Sequence, residues 1–100
     1  MLNNGGKELL KELYAEILKA ETEEEIGEFL EDLCTIKELE SMSQRLKAAK
    51  MLLQGKTYNE IVEDTEISSA TLARVSKCVR YGKLNLIVAS VKRKLKGEVK

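Results

Sequence analysis

The sequence predicts an all-α chain, and three observations carry that prediction. Apolar residues recur at helical spacing in segment after segment; Thr-x-x-Glu, the signature of a capping box, opens three of those segments; and nowhere do apolar and polar residues alternate as in a strand, nor does any stretch repeat. With 100 residues and 43% apolar composition the chain makes one folded domain (1–100) with a modest core, so self-association would add useful stability.

The elements follow in order. "GGKELLKELYAEILKA" places Leu9, Leu10, Leu13, Ile17 and Leu18 at helical spacing, from about residue 6. Thr22 with Glu25 opens a second, short helix whose apolar residues are Ile26, Phe29, Leu30 and Leu33. Thr35 with Glu38 opens the third and longest; Ile36, Leu39, Met42, Leu46, Ala49 and Leu53 form one stripe until Gly55 supplies the stop. Thr57 with Glu60 begins a fourth helix. Its Ile61 and Val62 are followed at once by "EDTEI", which leaves room for two turns. Ser68 caps a fifth helix in which Leu72, Val75 and Val79 share a face. Leu84, Ile87, Val88, Val91 and Leu95 predict a sixth over about 84–96, opposed by the basic "KRK" at 92–94.

A net charge of zero conceals a polarised chain. Residues 1–32 carry three lysines against ten acids, whereas residues 67–100 carry nine Lys or Arg against Glu98 alone. One end is suited to approach phosphates and the other is kept away from them. There is no histidine, no Gly-rich phosphate loop and no metal-ligand cluster, so the chain is read as a non-enzyme without a cofactor or metal. Cys34 and Cys78 are far apart and outside any CxxC pair, which predicts reduced, buried thiols. No basic leader precedes an apolar run and none approaches the length of a membrane span, so a soluble cytoplasmic protein is expected.

A two-turn helix, a tight turn at residues 65–67 and a further helix match the helix-turn-helix pattern over about 57–80. Glu66 falls at the turn position that glycine usually fills for its left-handed backbone, where a side chain costs roughly 1 kcal/mol or more. Opposite Leu72, Val75 and Val79, the fifth helix presents Ala70, Ala73, Arg74 and Lys77, with Ser69 and Thr71 nearer the edges. Small residues admit close backbone approach to base edges, hydroxyls can bond there, and Arg74, Lys77 and Arg80 suit phosphates. The candidate DNA-binding set is therefore Ser68, Ser69, Ala70, Thr71, Ala73, Arg74, Lys77 and Arg80.

The segment "DLCTIKELESMSQRLKAAKMLLQGKTYNEIVEDTEISSATLARVSKCVRYG", residues 32–82, resembles the central part of the tryptophan repressor superfamily, most closely its YerC/YecD-type branch. The resemblance implies a six-helix fold and an intertwined homodimer. The N-terminal helices (about 6–54) would interlock, and two helix-turn-helix units would each bind an operator half-site on double-stranded DNA. It implies a sequence-specific transcriptional regulator, a repressor, and carries the DNA-reading role onto Ser69, Ala70 and Ala73. It also marks Thr35, Arg45 and Arg74 as effector-pocket positions. Val75 departs from the family pattern: the corepressor-binding member has glycine there, and the extra carbons occupy space an indole needs. Asp32 and Cys34 likewise replace leucines of the wall that the partner chain contributes. Tryptophan is thus not the expected effector, whose identity stays open. Arg45 and Arg74 are read either as a retained small-molecule clamp or, preferably, as structural and phosphate-contacting cations. The competing functional reading is an α-helical interaction module that lays its basic C-terminal helix on an acidic partner or membrane surface.

Overall fold

The structure, a computed structural model, describes residues 3–84. Five helices and no strand occur among them: α1 Asn4–Leu18, α2 Glu23–Leu33, α3 Ile36–Leu53, α4 Tyr58–Thr65 and α5 Ser69–Tyr81. The expected sixth helix lies outside the described residues, apart from Leu84. The chain divides into two compact units, Met1–Leu39 and Glu40–Lys100.

In the first unit α1 starts slightly earlier than the apolar spacing indicates. Asn3 is its N-cap, with the carboxamide oxygen accepting from the Gly6 amide at 2.8 Å, which supports a first turn made of the poor helix formers Asn4, Gly5 and Gly6. Thr22 and Glu25 close the expected capping box on α2: the Glu25 amide donates to the Thr22 hydroxyl at 3.1 Å and the Thr22 amide to the Glu25 carboxylate at 3.2 Å. Thr35 and Glu38 do the same at the start of α3, at 3.1 and 2.7 Å. The Thr35 amide, and after it the Thr35 hydroxyl, hold the Glu38 carboxyl below its ordinary pKa. Neither α1 nor α2 has a buried residue; Leu18 is 83% exposed, and Leu9, Leu33 and Ile36 are also largely open.

The second unit contains the core. Ala48, Ala49 and Met51 of α3, Ile61 of α4, Ile67 of the turn and Leu72, Val75 and Val79 of α5 form one buried cluster, with Leu52, Val62 and Leu84 packed against it. This corrects the reading of α3. Of the predicted stripe only Ala49 is buried, while Met42, Leu46 and Leu53 are exposed. At 100° per residue, Ala48, Met51 and Leu52 lie on roughly the opposite side of the helix from Leu46 and Leu53. α3 therefore has two apolar faces. The one that carries Ala48 and Met51 enters the buried cluster with residues of α4 and α5; the one of larger residues is exposed in the single chain.

Gly55 ends α3 through a Schellman motif. Its φ is +83°, the Lys56 amide donates to the Met51 carbonyl at 3.0 Å, and the Gly55 amide donates to the Leu52 carbonyl at 3.1 Å. A Cβ at Gly55 would meet no atom, so glycine is required there for its backbone angle and not for space. The chain then enters α4 through the Thr57–Glu60 capping box, and Lys47 of α3 pairs with Asp64 of α4 at 3.1 Å, both more than half exposed. Such a pair adds at most about 1 kcal/mol; burial of the apolar cluster holds the three helices together.

The thiols are not buried as expected. Cys34 is half-buried and Cys78 exposed, both unbridged. On α5, Cys78 falls one step to the side of the Val75–Val79 line, just past the edge of the face that enters the core.

Candidate nucleic-acid interface

The joint between α4 and α5 begins with Thr65, which completes α4, so the turn runs one residue later than the sequence spacing indicates. Glu66 adopts the left-handed conformation, φ 61° and ψ 15°, and its amide donates to the Val62 carbonyl at 2.9 Å. A non-glycine residue in this region carries a cost of about 1–2 kcal/mol, sustained by its surroundings. Two groups hold it in place. Ile67, immediately after, is anchored in the core, and Thr65 is only 4% exposed. The Thr65 hydroxyl donates to the Ile61 carbonyl at 2.7 Å and lies 3.5 Å from the Ile67 amide. Sequence reasoning missed Thr65 because a threonine before a turn looks polar and solvated; only the carbonyl beneath it makes burial tolerable.

Ser68 is the N-cap of α5. Its oxygen accepts from the Thr71 amide at 3.1 Å while its hydroxyl donates to the Thr71 Oγ1 at 2.9 Å. These two candidate residues thus form the cap, and Thr71, half-buried, keeps its own hydroxyl proton for an outside acceptor. Ser69, Ala70, Ala73, Arg74, Lys77 and Arg80 are all exposed. Leu72, Val75, Ser76 and Val79 are the buried face of the same helix. The structure therefore divides α5 as periodicity predicted, with the small residues nearest its N-terminus and the cations beyond them. Among the described residues, Arg74, Lys77 and Arg80 pair with no carboxylate.

The ends of the helices differ in charge. α2 opens on Glu23, Glu24 and Glu25, α3 on Glu38 and α4 on Glu60, acids that favour a helix N-terminus through its dipole; α1 and α5 open with none. At α5 the Ser68 cap takes the Thr71 amide, and no acid of the first turn offsets the positive dipole end.

The effector-pocket positions are separately engaged or exposed. Thr35 caps α3 with both its amide and its hydroxyl. Arg45 is exposed on α3 and donates from Nη2 to the Ser41 hydroxyl at 2.8 Å; Arg74 is exposed on α5. Val75 is 4% exposed and belongs to the core cluster. Among the described residues no group of three or more Cys, Asp or Glu is arranged to hold a metal ion, and no helix is long and apolar enough to cross a membrane.

Comparison with known proteins agrees with this arrangement. A family model described as Trp repressor protein matches residues 8–93. The chain is 47% identical over 77 residues to YerC of Bacillus subtilis (strain 168), an uncharacterized protein, across 77% of this chain and 73% of that one. A TrpR-like protein from Eubacterium eligens ATCC 27750 has a structure similar at a TM-score of 0.81 and 36% identity, covering 90% of this chain and 96% of that chain. A candidate Trp repressor from Staphylococcus aureus matches at a TM-score of 0.78 and 40% identity, over 84% and 86% of the two chains. With the helix-turn-helix joint, the divided α5 and these similarities together, the chain belongs to the Trp repressor family, a family of DNA-binding regulators.

Proposed function

We propose that the protein is a sequence-specific DNA-binding transcriptional regulator, a repressor, that reads an operator as a homodimer with paired helix-turn-helix units. The observation that carries this reading is the outward face of α5. Ser69, Ala70 and Ala73 stand exposed at its acid-free start, and Arg74, Lys77 and Arg80 follow without intramolecular ion pairs among the described residues. Small side chains admit the backbone to base edges in the major groove, and the cations meet phosphates on either side.

Salt separates the two roles. Lys77→Ala should weaken preferred and unrelated duplexes about equally and lower the slope of log affinity against log salt by about one unit per lost contact, about two for a dimer that loses one contact from each copy. Titration of both duplexes across a salt series checks it. Retention of the protein by anionic vesicles in place of duplex DNA would favour the interaction-module reading.

Self-association is supported by the uncovered apolar residues. Leu9, Leu18, Leu33 and Ile36 of the first unit, and Met42, Leu46 and Leu53 on the second face of α3, are exposed in the single chain. A surface of that kind calls for a partner, and a second copy supplies the pairing a two-fold operator needs. Sedimentation is expected at about twice the chain mass; a well-folded monomer at micromolar concentration that binds DNA tightly would contradict it.

The regulator works without tryptophan as corepressor. Val75 is packed into the core at the position where an indole would need space, Thr35 is committed to a cap, and Arg45 and Arg74 are read as structural and phosphate-contacting cations. Calorimetry with L-tryptophan should show no saturable heat, and saturable binding coupled to tighter DNA binding would overturn this part of the reading.

A further inference from the structure

The outward face of α5 does not end with its cations. At 100° per residue, Ala70, Arg74, Lys77 and Tyr81 form one line along the helix, at spacings of four, three and four residues. Tyr81 is the last residue of α5 and is 84% exposed, the most open large apolar side chain among the described residues. Its hydroxyl has no partner there. Gly82 keeps it at the helix end: the Gly82 amide donates to the Cys78 carbonyl at 3.0 Å, and a Cβ on Gly82 would stand 2.8 Å from that same oxygen. The chain thus leaves the helix at once, and the ring is left uncovered by the described residues.

The surroundings of this ring have one sign of charge. From Ile67 to Leu84 there is no acidic residue, while Arg74, Lys77, Arg80 and Lys83 are all exposed. Dimensions then place the ring. Ala70 and Tyr81 are eleven residues apart, about 16 Å along the axis, whereas the major groove of B-DNA is about 12 Å wide and 8.5 Å deep. A helix that enters the groove by its N-terminal end, with Ala70 against base edges, carries Tyr81 to or beyond the groove rim, where the sugar-phosphate backbone runs. A phenol there has an O–H donor for a phosphate oxygen and an apolar ring to cover the sugar.

We infer that Tyr81 is a DNA-backbone contact, a neutral clamp that fixes the far end of the recognition helix on the phosphate rim while Ala70 and its neighbours read bases. This rests on the DNA-binding reading above and adds to it a contact of a different kind from the cations. Lys and Arg release counterions on binding phosphate; a tyrosine hydroxyl does not. Losing it lowers affinity and leaves the salt slope as it was.

Wild type, Tyr81→Phe and Lys77→Ala, each as the full chain, are titrated on a genomic duplex selected by the wild type and on an unrelated duplex, across a salt series. Tyr81→Phe removes one oxygen from an exposed residue and leaves the buried face of α5 untouched. The expected result is a loss of roughly five- to tenfold per half-site on both duplexes for Tyr81→Phe, with an unchanged salt slope. Lys77→Ala should instead lower the slope by about one unit per lost contact, about two for the dimer. Equal affinity of Tyr81→Phe and wild type overturns the inference alone and leaves the DNA-binding reading standing. So does a Tyr81→Phe salt slope lowered as far as that of Lys77→Ala, or a sedimentation change at unaltered DNA affinity, which would give the ring to contact between copies. Failure of the wild type to bind any duplex overturns both.

Discussion

Ala70→Glu is expected to abolish preferred-site binding while leaving the fold intact. Ala70 is exposed in the first turn of α5, and no described residue packs a core side chain against it. A glutamate there sits beside the helix N-terminus, where the dipole favours a negative charge by about 0.3–1 kcal/mol, so thermal stability should hold or rise slightly. On DNA the same carboxylate enters a groove flanked by phosphates, and like-charge juxtaposition at an interface costs several kcal/mol. At 1.4 kcal/mol per tenfold that is a loss of about a hundredfold or more at each half-site. Thermal melting and duplex titration, run on the same preparation, separate the two effects. A variant that melted normally and bound the preferred duplex like wild type would remove Ala70 from the interface.

Leu72→Ala should have the opposite signature. Leu72 is on the other side of the same helix, fully buried in the cluster that joins α3, α4 and the turn residue Ile67 to α5. Truncation removes apolar contacts and leaves a cavity, at about 2–5 kcal/mol. Against a total of about 5–15 kcal/mol for a domain this is a large share, and the melting temperature should fall by about 10 °C or more. DNA affinity should fall with the folded fraction and recover when measured well below the melting transition. If melting changed by less than a degree or two, α5 would not be seated on the core as described.

The two variants differ by only two positions in sequence, which shows how the helical period was legible and where its meaning was not. The three Thr-x-x-Glu boxes, the Ser68 cap and the left-handed Glu66 could be read from the sequence because each depends on residues within a turn of one another. The two faces of α5 followed from period alone. α3 was harder: the periodicity of its large residues marked the Leu46–Leu53 side, whereas the face that enters the core is lined by Ala48 and Ala49. Alanine carries a weak hydropathy signal, and its burial depends on partners distant in sequence. Thr65 was missed for a related reason, since its burial rests on the Ile61 carbonyl and the anchoring of Ile67. The uncovered side of α3 belongs to the same class: its stripe is plain in the sequence, but its cover would come from another chain.

The charge polarity was also legible, and the structure adds its local form. Acids stand at the starts of α2, α3 and α4, whereas the first turns of α1 and α5 carry none. A surface residue elsewhere on the chain would gain by such an acid. What sets α5 apart from α1 is the exposed run of cations, Arg74, Lys77 and Arg80, that follows its acid-free start.

The central claim, that α5 reads a defined DNA sequence, is tested most directly by incubating the full-length protein with fragmented genomic DNA, recovering the bound fragments, and titrating the preferred one against its own half and against an unrelated duplex at fixed salt. The account predicts recovery of a paired half-site sequence. That fragment should bind at least a thousandfold more tightly than unrelated duplex, in the range of specific recognition, and lose most of that advantage when cut to one half. Recovery of fragments with no shared sequence, bound no better than unrelated duplex, would contradict it.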